Sequence, residues 1–369
     1  MRFVICFLTL ILFSALTTTH AAIRIDNQTL STKSVSVLEA RSLGGNERGA
    51  ALGVLSNGNL LLGGGDKGGT LFLWSENESK LKLLGNFIGS NERIRDSRFA
   101  ITDIAVLKEG PDSLNLLISF PRLTGKNCVE VVVDEISVNL NTFRAKKVSR
   151  WFTSKPCAPV SAVQHAAGRM EVINSRSVYL TIGDLGYRKI DSRNSRGDLG
   201  SVFKISKKRI EKISTGHRNQ QGILLFDKNT LITSEHGPRG GDEINVIEKG
   251  IDYGWPFVTY GEPYSQGDYV IPQATGTHKR FREPIKVWTP SIAPTELVRL
   301  PDTGFGKFSG GIAMGTLRDM SIVFMTFVNG RINSSETVDI GARIRDLEVL
   351  PDKRLVASTD DGRLIFISK

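Results

Sequence analysis

Cysteine is scarce in this sequence, and long hydrophobic runs are almost missing. Three cysteines occur in 369 residues, at Cys6, Cys128 and Cys157. So few cysteines exclude a fold held together mainly by disulfides, and a hydrophobic core must do that work. After the N-terminal segment, no stretch reaches the ~18 consecutive apolar residues of a membrane-spanning helix. The sequence therefore predicts no membrane span.

Several signatures of catalysis and recognition are also missing. The sequence has no Walker loop, no HExxH zinc motif and no serine-nucleophile elbow. Lysine and arginine outnumber the acids by 48 to 38, but they are dispersed among the acids and form no basic block. The basic excess leaves three candidate partners: a nucleic acid, a membrane surface or an anionic small molecule. An ordinarily solvated basic surface is the simpler alternative.

The N-terminus predicts export. Arg2 is followed by the apolar run FVICFLTLILFSAL and then by small residues ending at Ala21 or Ala22. This is the pattern of a cleaved secretory signal, so we expect residues 1–21 to be removed and the protein to be periplasmic or secreted. An uncleaved N-terminal anchor is the alternative. Cleavage would remove the first cysteine and leave an even pair. In an oxidising compartment the pair favours a Cys128–Cys157 disulfide, and two buried free thiols are the alternative.

Short strand-like runs fill the rest of the chain. GTLFLW (69–74), VEVVVDEI (129–136) and SVYLTIGD (177–184) are alternating or continuously apolar, with turn residues around them. Convincing amphipathic helices of twelve or more residues are absent. A pattern of polar turn, apolar run and Gly-containing exit recurs in SNGNLLLGGG, NSRSVYLTIGD, DKNTLITSEHG and PDKRLVASTDDG. This repetition predicts an all-β fold, a six-bladed β-propeller in a single domain over residues 22–369. A double β-sandwich is the structural alternative.

Polar side chains suited to binding or catalysis are concentrated in residues 216–256. The motif GHRNQQG forms a turn before a strand, and its hydrogen-bonding side chains are His217, Arg218, Asn219 and Gln221. The following loop, EHGPRGGDE, exposes backbone carbonyls close to two acidic side chains. Carbonyl and carboxylate oxygens are the ligands that calcium prefers. No EF-hand spacing is present, so two ordinary solvated loops are the alternative.

These motifs together resemble a known family. GHRNQQG, SEHGPRGGDEINVIEKGIDYGWP, TPSIAPTE (289–296) and RIRD (343–346) are similar, in order and spacing, to motifs of the soluble PQQ-dependent aldose sugar dehydrogenases. Those enzymes belong to the glucose/sorbosone dehydrogenase family. The resemblance is good from about residue 160 to the C-terminus and weak over 23–160. It implies a six-bladed propeller with pyrroloquinoline quinone (PQQ) and calcium on one face.

The resemblance also implies roles for individual residues. His165, in QHAAGR, matches the catalytic base, and Arg218 should face the quinone oxygens. The other positions that match cofactor contacts are Asn219, Gln221, His236, Asp242, Tyr264, Ser291, Thr316, Arg318, Arg343 and Arg345. Of these, Arg343 and Arg345 match a pair that holds the cofactor carboxylates. Arg318 stands where the family commonly has Lys, and Arg98 stands where the family often has Gln.

Two calcium sites are implied in the same way. The backbone carbonyls of Gly237 and Pro238 match the ligands of the ion beside the cofactor. Glu243 and Tyr253 match a further calcium site.

The implied function is that of an exported quinoprotein that oxidises the C1 hydroxyl of an aldose to a lactone. His165 would take the hydroxyl proton while a hydride passes to PQQ, and calcium and Arg218 would stabilise charge on the quinone. We expect an external electron acceptor, a monomer or homodimer, and no nucleic-acid partner, because a tricarboxylate cofactor accounts for part of the basic excess. The alternative is a non-catalytic propeller that binds a carbohydrate or protein ligand.

Overall fold

Twenty-six strands form six antiparallel sheets in the computed structural model, which describes residues 19–125, 127–264 and 270–369. The described part of the chain begins with Thr19–Ile25 (β1) and Gln28–Ser36 (β2). Blade 1 contains Ala51–Val54 (β3), Leu60–Gly64 (β4), Thr70–Ser75 (β5) and Lys80–Asn86 (β6). Blade 2 contains Asp103–Glu109 (β7), Ser113–Leu123 (β8), Cys128–Asn139 (β9), Arg144–Thr153 (β10) and the short Ala158–Pro159 (β11).

The next two sheets have four strands each. Blade 3 contains Ala167–Asn174 (β12), Ser177–Ile182 (β13), Ser201–Ser206 (β14) and Arg209–Thr215 (β15). Blade 4 contains Gln220–Asp227 (β16), Thr230–Glu235 (β17), Asp242–Ile247 (β18) and Lys286–Trp288 (β19).

The last two sheets complete the fold. Blade 5 contains Pro294–Arg299 (β20), Ile312–Thr316 (β21), Ser321–Val328 (β22) and Arg331–Asp339 (β23). Blade 6 contains Ile344–Val349 (β24), Leu355–Thr359 (β25) and Arg363–Ser368 (β26). The 3-10 helices of the described residues are Leu38–Ala40, Ser90–Glu92, Val160–His165 and Gly306–Phe308.

The N-terminal strands close the ring. β2 pairs with β26, from Ser31 opposite Ser368 to Ser36 opposite Arg363, and the sheet order is β1-β2-β26-β25-β24. The first strand of each blade contacts the first strand of the next, from β3 through β7, β12, β16 and β20 to β24 and back to β3. These six inner strands surround an axial channel of about 320 Å³, and all six contribute to its lining. The predicted all-β, six-bladed propeller is confirmed.

The blades pack face to face, which explains the nearly continuous apolar runs in their central strands. In β9, Val131 and Val133 pack in one cluster with Leu180 of blade 3, whereas Val132 packs in another with Leu61 of blade 1. Successive side chains of a strand point to opposite faces, so a strand buried on both faces needs apolar residues at almost every position. The hydrophobic core therefore lies between the blades.

The predicted leader overlaps the first strand. β1 begins at Thr19 and pairs with β2 from Thr19 opposite Ser34, so cleavage after Ala21 would remove the first part of this strand. Residues 1–18, which hold Cys6, lie outside the described residues, and the leader stays a prediction. Among the described residues, no helix has the length and apolar character that a membrane crossing requires.

The two remaining cysteines form the predicted bond. Cys128 and Cys157 are disulfide-linked, with their Cα atoms 5.7 Å apart. Cys128 begins β9, and Cys157 immediately precedes β11, which pairs with that strand at Val129 and Cys128.

Candidate active site

One face of the ring carries a cavity of about 330 Å³, called here the site cavity. The six inner strands begin at this face, and the loops that lead into them supply much of its lining. Within the three residues before each of those strands, the lining includes Arg48, Thr102, His165, Arg218, Ser291 and Arg343. The second strand of each blade runs antiparallel to the first and ends at the same face. His236, after β17, and Asp360, after β25, line the cavity for this reason.

His165 is held at the cavity by a buried carboxylate. Its Nδ1 lies 2.8 Å from Asp184 Oδ1, and Asp184 also accepts hydrogen bonds from Gly186 N and Trp255 Nε1, each at 2.8 Å. Because a carboxylate accepts, Nδ1 carries the proton and Nε2 has the lone pair. Burial, reinforced by the charge of Arg218, lowers the pKa of His165, although Asp184 acts in the opposite direction. The ring is therefore a neutral base at physiological pH.

A glycine brings the His165 and Arg218 loops together. A Cβ added to Gly183 would lie 1.9 Å from the His165 carbonyl oxygen and 3.2 Å from that of Arg218. The next residue, Asp184, donates its backbone N–H to the Arg218 carbonyl at 2.8 Å. Only a residue without a side chain allows this approach, so the TIGD segment at the end of β13 positions both loops.

Arg218 is buried between the base and the neighbouring loop. Its Nη2 lies 3.2 Å from His165 Nε2, and its Nη1 donates to the carbonyl of Gly237 at 2.7 Å. The guanidinium lies over the Trp255 ring at 5.4 Å. Its Nε is buried and has no hydrogen-bond partner among the described residues.

The loop after β17 presents the two carbonyls that the resemblance assigns to calcium. The Gly237 oxygen accepts from Arg218, and the Pro238 oxygen accepts from the Tyr264 hydroxyl at 2.9 Å. Both residues line the site cavity, as does Tyr264. Among the described residues, no group of three or more His, Cys, Asp or Glu side chains has the arrangement of a metal site.

Asp242 lies below this loop and supports it. Its Oδ1 accepts the Gly237 N–H at 3.0 Å, and its Oδ2 accepts from Ser291 Oγ at 2.6 Å, Ile292 N at 2.7 Å and Ala293 N at 2.8 Å. Its carboxylate therefore joins the loop of blade 4 to the loop before β20. Ser291 lines the cavity, whereas Asp242 is fully buried outside the lining.

Glu243 and Tyr253 lie together at a second, very small cavity beside the first. Glu243 Oε2 accepts from Asn245 Nδ2 at 3.2 Å, and its Oε1 lies 3.6 Å from His278 Nε2. Burial, with the charge of Glu235, raises the pKa of Glu243 well above its usual range. The Tyr253 hydroxyl donates to the Val246 carbonyl.

Arg343 and Arg345 converge on one carboxylate. Arg345 donates Nε to Asp360 Oδ1 at 2.9 Å and Nη2 to Oδ2 at 2.8 Å, and Arg343 donates Nε to Oδ2 at 2.9 Å. Burial opposes the charge of Asp360, but the charge and hydrogen bonds of Arg345 outweigh it and lower the pKa of Asp360 to about 2. Both arginines and their acidic partner Asp360 line the cavity.

The remaining assigned residues divide between the cavity and its surroundings. Asn219, Gln221 and His236 line it, and burial lowers the pKa of His236 to about 4, so that its ring is neutral. Thr316 is buried and bonds to Ser321, while Arg318 is exposed, and neither is part of the lining.

Positive charge exceeds negative charge around the cavity. Among the described residues, its lining holds two acidic side chains, Glu47 and Asp360, and five arginines: Arg48, Arg98, Arg218, Arg343 and Arg345. Such a cavity favours an anionic ligand.

Comparison with known proteins places the chain in a family. Residues 46–366 match the Glucose / Sorbosone dehydrogenase family. The chain belongs to this family. An aldose sugar dehydrogenase of Escherichia coli is 30% identical over 229 residues, which are 57% of this chain and 61% of that protein. The chain thus spans about three-fifths of that relative's length.

Solved structures agree on the fold of the family. The apo form of the soluble Escherichia coli aldose sugar dehydrogenase superposes with a TM-score of 0.77 at 21% identity, covering 91% of this chain and 99% of that one. The PQQ-bound form of an aldose sugar dehydrogenase from Streptomyces coelicolor gives a TM-score of 0.65 at 18% identity, covering 96% and 99%. At these identities the similarity shows the shared propeller.

Three residues of the site were missed by motif analysis: Asp184, Asp360 and Arg48. The first two follow the second strands of their blades, in TIGD and STDD, as His236 does in TSEH. Alignment of the recurring pattern at these three strand ends would have found both acids. Arg48 lies in the segment with weak resemblance, where no motif marked it.

Proposed function

We propose that this protein is an exported PQQ- and calcium-dependent dehydrogenase that oxidises the C1 hydroxyl of aldose sugars to lactones. The observation that carries the proposal is the His165–Asp184 pair, whose lone-pair nitrogen faces a cavity rich in arginine. Membership of the glucose/sorbosone dehydrogenase family supports the reaction class.

The cavity residues fit PQQ, which is a planar tricarboxylate with quinone oxygens. Two residues of the lining, Arg218 and Gln221, each have a buried polar atom without a partner among the described residues, at Arg218 Nε and Gln221 Oε1, and such atoms call for a polar partner. The excess of arginine suits the carboxylates, because a guanidinium binds a carboxylate through two parallel hydrogen bonds.

Without the cofactor, the residues at the assigned site supply too few oxygen ligands for calcium. The assigned carbonyls of Gly237 and Pro238 supply two oxygens, and the nearby Asp242 carboxylate is fully occupied by four donors. Calcium takes 6–8 oxygen ligands. An ion at this site would therefore depend on oxygens from PQQ or water, and we expect calcium and PQQ to bind together.

The protein groups have separate tasks in the reaction. PQQ, when bound, supplies the acceptor for the hydride that leaves C1. His165 Nε2 takes the proton of the C1 hydroxyl, so that the sugar loses a proton and a hydride and becomes the lactone. Asp184 keeps the imidazole in the tautomer that has this lone pair and stabilises its protonated form. Arg218 supplies positive charge where negative charge develops.

Reconstitution tests the proposal. The purified protein is loaded with PQQ and calcium and assayed with a panel of aldoses and a redox dye as electron acceptor. We expect oxidation that requires both additions, with a lactone as the product. Protein without PQQ is the control. If calorimetry detects binding of an aldose but no loaded sample turns over, the protein is a non-catalytic carbohydrate-binding propeller.

A further inference from the structure

Arg48 lies in the site cavity without an assigned task. It stands three residues before β3 and lines the cavity together with Arg343, Arg345 and Asp360. Its backbone forms two hydrogen bonds with Ser42, at 2.8 and 3.0 Å. The segment that carries Arg48 is therefore held at this position by the fold.

The neighbouring glycine packs this segment against blade 6. Gly49 N donates to Asp360 Oδ1 at 3.0 Å. A Cβ added to Gly49 would lie 2.5 Å from the Thr359 carbonyl oxygen and 3.1 Å from Arg345 Cβ. This close approach places Arg48 beside the Arg343–Arg345 pair, although the two segments are almost 300 residues apart in sequence.

Asp360 has no capacity left for a third arginine. Its Oδ1 accepts from Gly49 N and Arg345 Nε, and its Oδ2 accepts from Arg343 Nε and Arg345 Nη2. Within the part of the chain that the structure describes, the Arg48 guanidinium has no hydrogen bond or ion pair. Burial and the charges of Arg345 and Arg169 lower the pKa of Arg48 well below its usual value.

A half-buried cation beside the like charges of Arg345 and Arg169 is disfavoured in the folded protein, because its charged form is repelled there. Residues that cost stability at a cavity are commonly retained for binding or catalysis. A neutral sugar would leave this charge without a counter-ion, whereas a carboxylate would neutralise it. The complementary group is therefore an anion.

We propose that Arg48 binds a carboxylate of PQQ and forms, with Arg343 and Arg345, a three-arginine cluster for the cofactor. The proposal rests on the function proposed above. Arg345 commits two donor nitrogens to Asp360, and Arg343 commits one to Asp360 and one to the Leu317 carbonyl at 3.3 Å. Arg48 keeps its whole guanidinium for the ligand, so its share of the binding exceeds that of an already paired arginine.

Equilibrium titration of PQQ into the calcium-containing apoprotein tests the assignment. Arg48→Gln should weaken PQQ binding by about 10- to 100-fold, the loss expected for a hydrogen-bonded ion pair. Arg48→Lys, which keeps the charge but not the two-pronged geometry, should lie between wild type and Arg48→Gln. Arg95→Gln, an equal charge change at an exposed arginine outside the cavity lining, should bind as wild type does. The trimethyl ester of PQQ should bind wild type and Arg48→Gln with equal affinity.

Thermal unfolding of the apoprotein provides the second measurement. Arg48→Gln should raise the apo Tm while it weakens PQQ binding, because it removes the repulsion from Arg345 and Arg169. A purely structural Arg48 would give a lower Tm instead, and that result would overturn the proposal. Equal PQQ affinity in Arg48→Gln and wild type would overturn it as well and leave the proposed function intact. A wild-type protein that does not bind PQQ would overturn both.

Discussion

At the scale of single residues, the candidate base lies at the cavity, but both of its ring nitrogens already contact other side chains. His165 donates from Nδ1 to Asp184, and Arg218 Nη2 lies 3.2 Å from the lone pair on Nε2. A hydrogen bond from a guanidinium weakens that lone pair as a base. The same arginine also donates to the Gly237 carbonyl, which is an assigned calcium ligand. Calcium and an anionic cofactor would compete for both contacts, so loading the site should also free the base.

Replacement of His165 separates chemistry from binding. His165→Ala should still fold and bind PQQ and calcium, because its imidazole is assigned to the substrate proton. Loss of a general base typically costs about 10²–10⁴-fold in rate, so kcat should fall by that factor. Steady-state kinetics normalised to bound PQQ measures this. Arg218→Ala is the comparison and should lower both affinity and kcat. Turnover of His165→Ala within a few-fold of wild type would remove His165 from the mechanism.

Replacement of Asp184 should change the pH dependence of the reaction. The wild-type rate should rise with pH through one ionisation below the ordinary histidine pKa, because burial and Arg218 lower the pKa of His165. Asp184 opposes this shift, so Asp184→Asn should move the acidic limb to still lower pH. The plateau of kcat should fall on the order of 10- to 100-fold, since an orienting contact is lost. A kcat–pH profile checks both effects, and a limb displaced to higher pH would contradict the assignment.

At the scale of elements, the site is a set of strand ends. The inner strands begin at the face that carries the cavity, and β17, β21 and β25 end at its lining, so the residues at these positions converge whatever their distance in sequence. Arg218 and Gln221 flank the start of β16, and Arg343 directly precedes β24. The strands of the ring fix where these residues lie, and the loops carry most of the candidate functional side chains.

The sequence predicted the strands well, and its motifs marked two of the loops at the cavity, because strand patterns and motifs are both local properties. Apolar runs with turn residues around them marked the strands, and GHRNQQG and RIRD marked two loops. Asp360 and Arg48 escaped because their importance arises from contacts across the ring. Gly49 N reaches Asp360 over 311 residues of sequence, and no local pattern encodes that pairing. Arg318 shows that a motif match can also mislead. Its position matches a cofactor contact of the family, but the residue is exposed and lies outside the cavity lining.

The disulfide anchors the element that carries the base. Cys157 precedes β11, and the 3-10 helix Val160–His165 follows directly. The double variant Cys128→Ser/Cys157→Ser should lose roughly 3–4 kcal/mol of unfolding free energy, the value for closing a loop of this length. Denaturant unfolding measures the loss, and thiol titration of denatured, unreduced wild type should find no free thiol from this pair. Because Asp184 holds the His165 ring independently, kcat per bound PQQ should stay near wild type. A strongly reduced kcat would mean that the disulfide also positions the base.

At the scale of the whole molecule, charge is distributed unevenly along the ring axis. The site cavity is rich in arginine, whereas the axial channel is rich in acids. Arg169 lies fully buried between them, 3.0 Å from Asp346, 3.4 Å from Glu296 and 3.8 Å from Asp103. Its Nη2 also donates to the Arg345 carbonyl at 2.8 Å. One buried cation therefore joins several blades at the point where the cavity meets the channel.

The channel acids should make stability depend on pH. Burial, with a smaller contribution from Asp103, raises the pKa of Glu171 to about 7. In the unfolded chain this group ionises near pH 4, so the unfolded state binds fewer protons between the two values. The free energy of unfolding should therefore decrease as pH rises from about 4 to about 7.

Glu171→Gln tests this dependence, because it removes the ionisation with little change in shape. The variant should have a higher Tm than wild type at about pH 8 and nearly the same Tm at about pH 4. Thermal unfolding in the presence of a chelator, which keeps cations out of the channel, measures the difference across that range. Glu39→Gln, at an exposed position, is the matched control and should follow wild type at every pH. A Glu171→Gln effect on Tm that is the same at both ends of the range would show that packing, and not the buried charge, determines stability at this position.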